Sequence, residues 1–178
     1  TIIRNQKQAG QKTQIFSGER EVLPVMPFMD DLKEYKTRIL RSLWESDSIR
    51  RIISESANIP DLTYEQFRFY VRNYAKNPDT VKEKGVYILF EVDPVKVQNR
   101  TAMTYEITFW AVISEDLLVT EEGVLSDILI SQIDHIFNGN KAFAIGPLEL
   151  RGSKGFNVPV GFYGRYVTYA AKEFNQGG

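Results

Sequence analysis

From Lys84 to Asn175 the chain reads as strand, strand, helix, strand, strand, and no catalytic constellation interrupts that order. The first strand is Gly85 to Val92 and the second Thr104 to Ile113, both rich in β-branched and aromatic residues with partial period-two alternation. Asp93-Pro94 through Thr101 is a polar connection short enough to make the two strands antiparallel neighbours. A helix follows, opened by Glu121-Glu122-Gly123, with Val124, Leu125, Ile128, Leu129, Ile133, Ile136 and Phe137 on one apolar face and Asn138-Gly139 as its end. Phe143 to Arg151 alternates at Leu148 and Leu150 and leads into a Gly-rich turn, Gly152-Ser153-Lys154-Gly155. The last strand runs from Val158 to about Lys172. Its alternation sets Val160, Phe162, Gly164 and Tyr166 against Gly161, Tyr163, Arg165 and Val167, so both faces carry bulky groups. One face meets helices, and the other is free for a neighbouring subunit.

Upstream, Leu32, Tyr35, Ile39, Leu40 and Leu43 fall at helical spacing behind a possible Asp30 cap. Ser46-Asp47-Ser48 interrupts the pattern, and Ile49, Ile52 and Ile53 give a second short helix ending before Asn58-Ile59-Pro60. Thr63 to Asn77 is mixed: Tyr64, Phe67, Val71 and Tyr74 have helical spacing, whereas Phe67, Phe69 and Val71 alternate like a strand. Val22 to Met29 contains two prolines and reads as an extended apolar lead-in. Thr1 to Gln14 is rich in Gln and Lys with little to bury, so alone it should be disordered and serve assembly instead of folding. Residues 1–29 are therefore an N-terminal arm and lead-in, and 30–178 a single α+β domain: an antiparallel sheet of about four strands with helices on one face.

With 178 residues, 43% of them hydrophobic, one core can form without disulfides or metal. A net charge of -1 supplies no whole-molecule field for nucleic acid or anionic lipid, though a local basic patch stays open. The absence of Cys removes thiol nucleophiles and Cys-based metal sites. No run approaches the roughly 18 apolar residues of a membrane helix, so the expectation is a soluble chain with no membrane partner.

The candidates for chemistry are sparse. His135, the sole histidine, removes His-pair metal sites and falls on the helix face opposite Ile133 and Ile136, where solvation is the expected role. The carboxylate pairs Asp30-Asp31, Glu115-Asp116 and Glu121-Glu122 sit at helix starts or loops, where they complement the helix dipole. Gly152 to Gly155 lacks the spacing of a phosphate-binding loop and is followed by a strand, so it reads as a hairpin turn. The expectation is no catalytic residue, no metal and no cofactor. The competing reading is a small enzyme or ligand-binding domain using the Glu115 to Glu122 loop with Tyr105 or His135. A nucleic-acid binder would need basic and aromatic residues on one accessible face.

The paired short helices, the aromatic strand pair closing in Ile113-Ser114-Glu115-Asp116-Leu117-Leu118, the helix Asp127 to Gly139, Ile145-Gly146-Pro147-Leu148-Glu149-Leu150 and the closing Phe162 to Tyr169 together resemble tail terminator and related neck proteins of long-tailed bacteriophages. The resemblance covers roughly residues 30 to 175 and rests on element order. It implies a homohexameric ring in the virion neck, assembled in the host cytoplasm. The ring would cap the tail tube protein and join it to a head connector or stopper, with double-stranded DNA passing non-specifically through the lumen. A head-tail connector or tail-tube component is the alternative within that class. On this reading the channel-facing candidates are Lys96, Gln98, Asn99 and Arg100 in one loop and Arg151, Ser153 and Lys154 in another, and the subunit-interface candidates are Phe162, Tyr163, Arg165 and Tyr166.

Overall fold

The computed structural model describes residues 28–73, 83–99, 102–143 and 146–174. The expectations for Thr1 to Gln14, most of the lead-in and Arg100 lie outside these. In chain order the elements are α1 (Phe28–Glu45), α2 (Asp47–Ala57), α3 (Tyr64–Tyr70), β1 (Val71–Arg72), β2 (Val86–Asn99), β3 (Ala102–Ser114), a 3-10 turn (Glu115–Leu117), β4 (Val119–Thr120), β5 (Gly123–Val124), α4 (Leu125–Phe137), β6 (Glu149–Phe156) and β7 (Phe162–Phe174). The fold is α+β, as the sequence predicts. The main sheet has the order β1-β2-β3-β7-β6 and is antiparallel except for the two-residue β1, which runs parallel to β2.

Period-two alternation divides the long strands between two faces. Val86, Ile88, Phe90 and Val92 of β2, Ile107, Phe109, Ala111 and Ile113 of β3, and Val167, Tyr169 and Ala171 of β7 join one buried cluster with the helices. Tyr35, Ile39 and Leu43 of α1, Ile49 and Ile53 of α2, and Leu129, Ile133 and Phe137 of α4 supply the opposing layer. Phe109 is central: its ring lies 4.7 Å from Phe137, 5.9 Å from Phe90 and 6.2 Å from Tyr169, centroid to centroid.

Local chemistry sets the helix ends. The Ser46 hydroxyl accepts from the Ile49 amide, and Asn58 closes α2 in the left-handed region at φ 53°. Thr63 and Gln66 form a capping box that starts α3. The mixed signal from Thr63 has a direct cause, since a seven-residue helix passes straight into β1, whereas Tyr74 to Asn77 lie outside the described residues.

Four sequence-based expectations need correction. The first helix begins at Phe28, which puts Asp30 inside its first turn instead of at the cap. Asp93 to Asn99 is strand, because β2 and β3 continue as a long hairpin with register shifts at Pro94/Lys96 and Val97/Asn99 that absorb the proline. Lys96, Gln98 and Asn99 therefore lie on the end of a strand. Glu121 and Glu122 turn the small β4–β5 hairpin, and α4 starts only at Leu125. Gly152 to Gly155 lies within β6, so Arg151, Ser153 and Lys154 are edge-strand residues, not loop residues. The chain reverses later, at residues 157–161, where Gly161 takes φ +90°.

Two outcomes test this core. Phe109→Ala should cost about 3–5 kcal/mol, read as a lowered urea midpoint in an equilibrium unfolding curve; an unchanged midpoint would remove Phe109 from the centre of the core. The second concerns alkali. Burial first, and then a 2.8 Å hydrogen bond donated to Asp134 Oδ1, hold the Tyr169 phenol neutral well above its ordinary value of 10.0. Above that value the unfolded chain loses a proton that the folded one keeps. Stability is thus fully present below about pH 10 and falls as pH rises beyond it. Melting curves across that range should show Tyr169→Phe declining less steeply than wild type.

Candidate functional site

Among the described residues the helices reach the second face of the sheet only through Tyr70 at the end of α3, whose ring lies 5.7 Å from Tyr87, and the cross-strand register arranges this face in rows. One row is Leu89, Trp110, Tyr166 and Lys154; the next is Tyr87, Val112, Gly164 and Phe156. Tyr87, Leu89 and Val112 form a small buried cluster, with Tyr70, Trp110, Phe156, Val158 and Phe162 half-buried around it. Lys154 Nζ stands 5.9 Å over the Tyr166 ring, whose other neighbour, Phe156, is 6.3 Å away.

Gly164 makes the aromatic cover possible. A Cβ there would come within 2.7 Å of Phe156 Cε1 and of Val158 Cγ1, so only a bare backbone lets this ring and the 157–161 turn lie on the sheet.

Toward the β2–β3 hairpin end the same face becomes polar. The third row is Glu91, Thr108, Thr168 and Gly152, with the two threonine hydroxyls 3.0 Å apart. The fourth is Asp93, Glu106, Ala170 and Glu149. Asp93 stands directly opposite Glu106, a like-charge pairing, and the next row of the same face, Lys96, Thr104 and Lys172, sets lysine positions diagonal to it. Arg151 offsets part of this charge through Glu149, at 3.5 Å.

Both outer strands of the sheet are open among the described residues. The outer edge of β6 has no partner strand, and β1 covers only Ile88 and Leu89 of β2.

The four predicted interface residues do not form one patch. Phe162 and Tyr166 stand on the helix-free face, but Tyr163 and Arg165 turn to the helix side, where Arg165 Nε pairs with Asp127 Oδ1 of α4 at 3.3 Å. The alternation within β7 demands this division. Sequence reasoning missed Trp110, Leu89, Tyr87 and Phe156 as partners of Phe162. The signal that could have found them was the same alternation in β2 and β3, read on its other parity.

The residues proposed for an enzyme are scattered. Tyr105 is buried and stacks on Tyr35 with centroids 5.7 Å apart. His135 is exposed, ten residues along α4 from Leu125, a rise of about 15 Å. Asp116 is paired at 2.8 Å with Lys84, whose hydrogen bond holds its carboxyl below the usual value. Glu121 and Glu122 border a groove of about 380 Å³ between α2, α4 and the β4–β5 hairpin, with Arg51 and Glu55 opposite them. Among the described residues no group of three or more His, Asp or Glu is placed to hold a metal ion, and no helix is long and apolar enough to cross a membrane.

The family model YomW matches residues 30–171. The chain belongs to the YomW family. That family is phage-derived and Bacillus SPbeta-like. The matched range runs from the first turn of α1 into β7, so it takes in every helix and the whole sheet apart from the last residues of β7. No curated protein matches the chain.

Gly164→Val should displace Phe156 and Val158 from the sheet and cost about 1–3 kcal/mol. The expected result is a lower melting temperature with increased binding of an apolar fluorescent dye; unchanged dye binding would mean that the aromatic cover does not depend on this close approach.

Proposed function

We propose that this chain is a virion ring protein, a tail terminator that caps the tail tube and joins it to the head connector or stopper. The observation that carries the reading is that, among the described residues, the sheet has an open strand edge at each side, β2 beyond Leu89 and β6 along its length. Two different edges of one sheet suit a heterologous contact, in which β6 of one copy adds to β2 of the next. Repetition of that contact closes a ring when the rotation per copy divides the circle. Exposed edges left unpaired invite uncontrolled association, and pairing between copies would satisfy the two that are open among the described residues. The phage-derived family and the resemblance to neck proteins support the same reading, and the ring we propose has six copies.

With β6 as the contact strand, Arg151, Ser153 and Lys154 belong to the seam between copies. The lumen then falls to the β2–β3 hairpin end, where β2 carries Lys96, Gln98 and Asn99. A hydrophilic rim with a few basic groups would let double-stranded DNA pass, held only by salt-sensitive phosphate contacts.

Class averages of particle necks, with this chain located by an appended tag, provide the test. The expected result is a six-fold ring at the tail–head junction. Finding the chain there as a monomer or dimer, or outside the particle, would overturn the reading. In the same images, a hairpin end pointing to the outer perimeter would defeat the lumen assignment alone.

A further inference from the structure

Two described surfaces of the chain complement each other in shape and charge. The first is a knob where α3 runs into β1: Phe69 is 46% exposed between Arg68 and Arg72, and the Arg72 guanidinium stands 5.0 Å over its ring. The second is the groove of about 380 Å³ between α2, α4 and the β4–β5 hairpin, where Ile52, Leu125 and Ile128 lie beside Glu55, Glu121 and Glu122. We propose that the Arg68–Phe69–Arg72 knob of one copy enters the α2–α4 groove of another, its ring on the aliphatic side chains and its guanidinium groups among the carboxylates. The contact uses neither edge of the sheet. It rests on the assembly reading only in requiring a second copy.

The charges nearby leave each surface with a net sign. Arg51 is the only cation lining the groove against its three carboxylates, and Glu65 is the only carboxylate lining the knob's side against its two guanidinium groups. Among the described residues none of Glu55, Glu121, Glu122, Arg68 and Arg72 is held in an ion pair. The knob is also fixed before contact, because Arg72 Nε donates to the Phe69 carbonyl at 2.9 Å and so holds its guanidinium beside the ring. Arg and aromatic side chains held ready in this way are the usual anchors at the centre of an interface. The groove has room for one such ring, whose burial on Ile52, Leu125 and Ile128 removes apolar area of both copies from water. Within one molecule α2 packs between α3 and α4 and separates knob from groove, so only a second copy can join them. Two different patches make this a heterologous contact, and every copy carries one of each.

The chain has no cysteine, so single cysteines can be placed without interference. Full-length Glu65→Cys, beside the knob, and a size-tagged Gln132→Cys, in the groove, are mixed and oxidised, and the mixed disulfide is read on a non-reducing gel. Only contact between copies can form it. The expected result is a mixed product severalfold more abundant than that between Glu65→Cys and a tagged Glu34→Cys on the exposed side of α1. Adding Arg68→Glu and Arg72→Glu to the first chain should bring the yield down to that control level. Adding Glu121→Lys and Glu122→Lys to the second chain as well should restore it, because the signs are then exchanged. If melting curves show that the Arg72 variant does not fold, Arg68→Glu against Glu121→Lys makes the same comparison. Equal yields at Gln132 and Glu34, or no recovery when both signs are exchanged, overturn the inference. Images of particle necks separate the two ideas: a six-fold ring without enrichment at Gln132 overturns the knob contact alone, whereas enrichment without such a ring overturns the terminator reading and leaves the contact standing.

Discussion

Everything in the described fold depends on the covering of one sheet face by α1, α2 and α4, with Phe67 of α3, while the described helices reach the other face only through Tyr70 at the end of α3. Phe109 is where that covering is tightest, since its ring meets β2 through Phe90, β7 through Tyr169 and α4 through Phe137. The three long strands can alternate strictly because each has one side committed to that layer. A slip of one residue would exchange Phe109 for Trp110 or Thr108 and bring Glu91 and Asp93 into the apolar layer, so the register is strongly fixed.

The committed face determines what remains available on the other. Trp110, Tyr166, Phe156 and Phe162 gather at one end because their parity sends them away from the helices, and the bare backbone of Gly164 lets them approach the sheet. Charged residues of both signs, Asp93, Glu106 and Glu149 with Lys96 and Lys172 in the adjoining row, occupy the other end for the same reason. Among the described residues this surface is bordered by two open strand edges, and the proposed assembly would use both. The dispersal of His135, Tyr105 and the Glu121-Glu122 pair gives no comparable support to a chemical role.

The helix layer was legible in the sequence because each helix carries its own local evidence. Apolar spacing in α1 and α4, the Ser46 cap and the left-handed Asn58 are all encoded within a few residues. The errors fell where a local signal is overridden by a long-range partner. Asp93-Pro94 looks like a turn, yet β3 pairs with it, and a register shift beside Pro94 accommodates the missing donor. Gly152-Ser153-Lys154-Gly155 looks like a turn for its composition, yet β7 holds it extended as an edge strand, where backbone hydrogen bonds are needed on one side only. Each of these segments reads as a loop in the sequence, which is why its polar residues read as pore-facing.

Sequence by itself determined the α+β class, the strand, strand, helix, strand, strand order from Lys84 onward and the apolar faces of the first, second and last helices, because helical and strand periodicities are local properties of the chain. Tertiary structure alone decided which residues from distant strands share a row. Phe162 was separated from Arg165 by side-chain parity, but only pairing with β3 and β6 brought it into the group with Trp110 and Phe156. The open edges of β2 and β6 were likewise invisible in the sequence. An edge is defined by the strand that is not beside it, and strand order is set by packing over the whole domain.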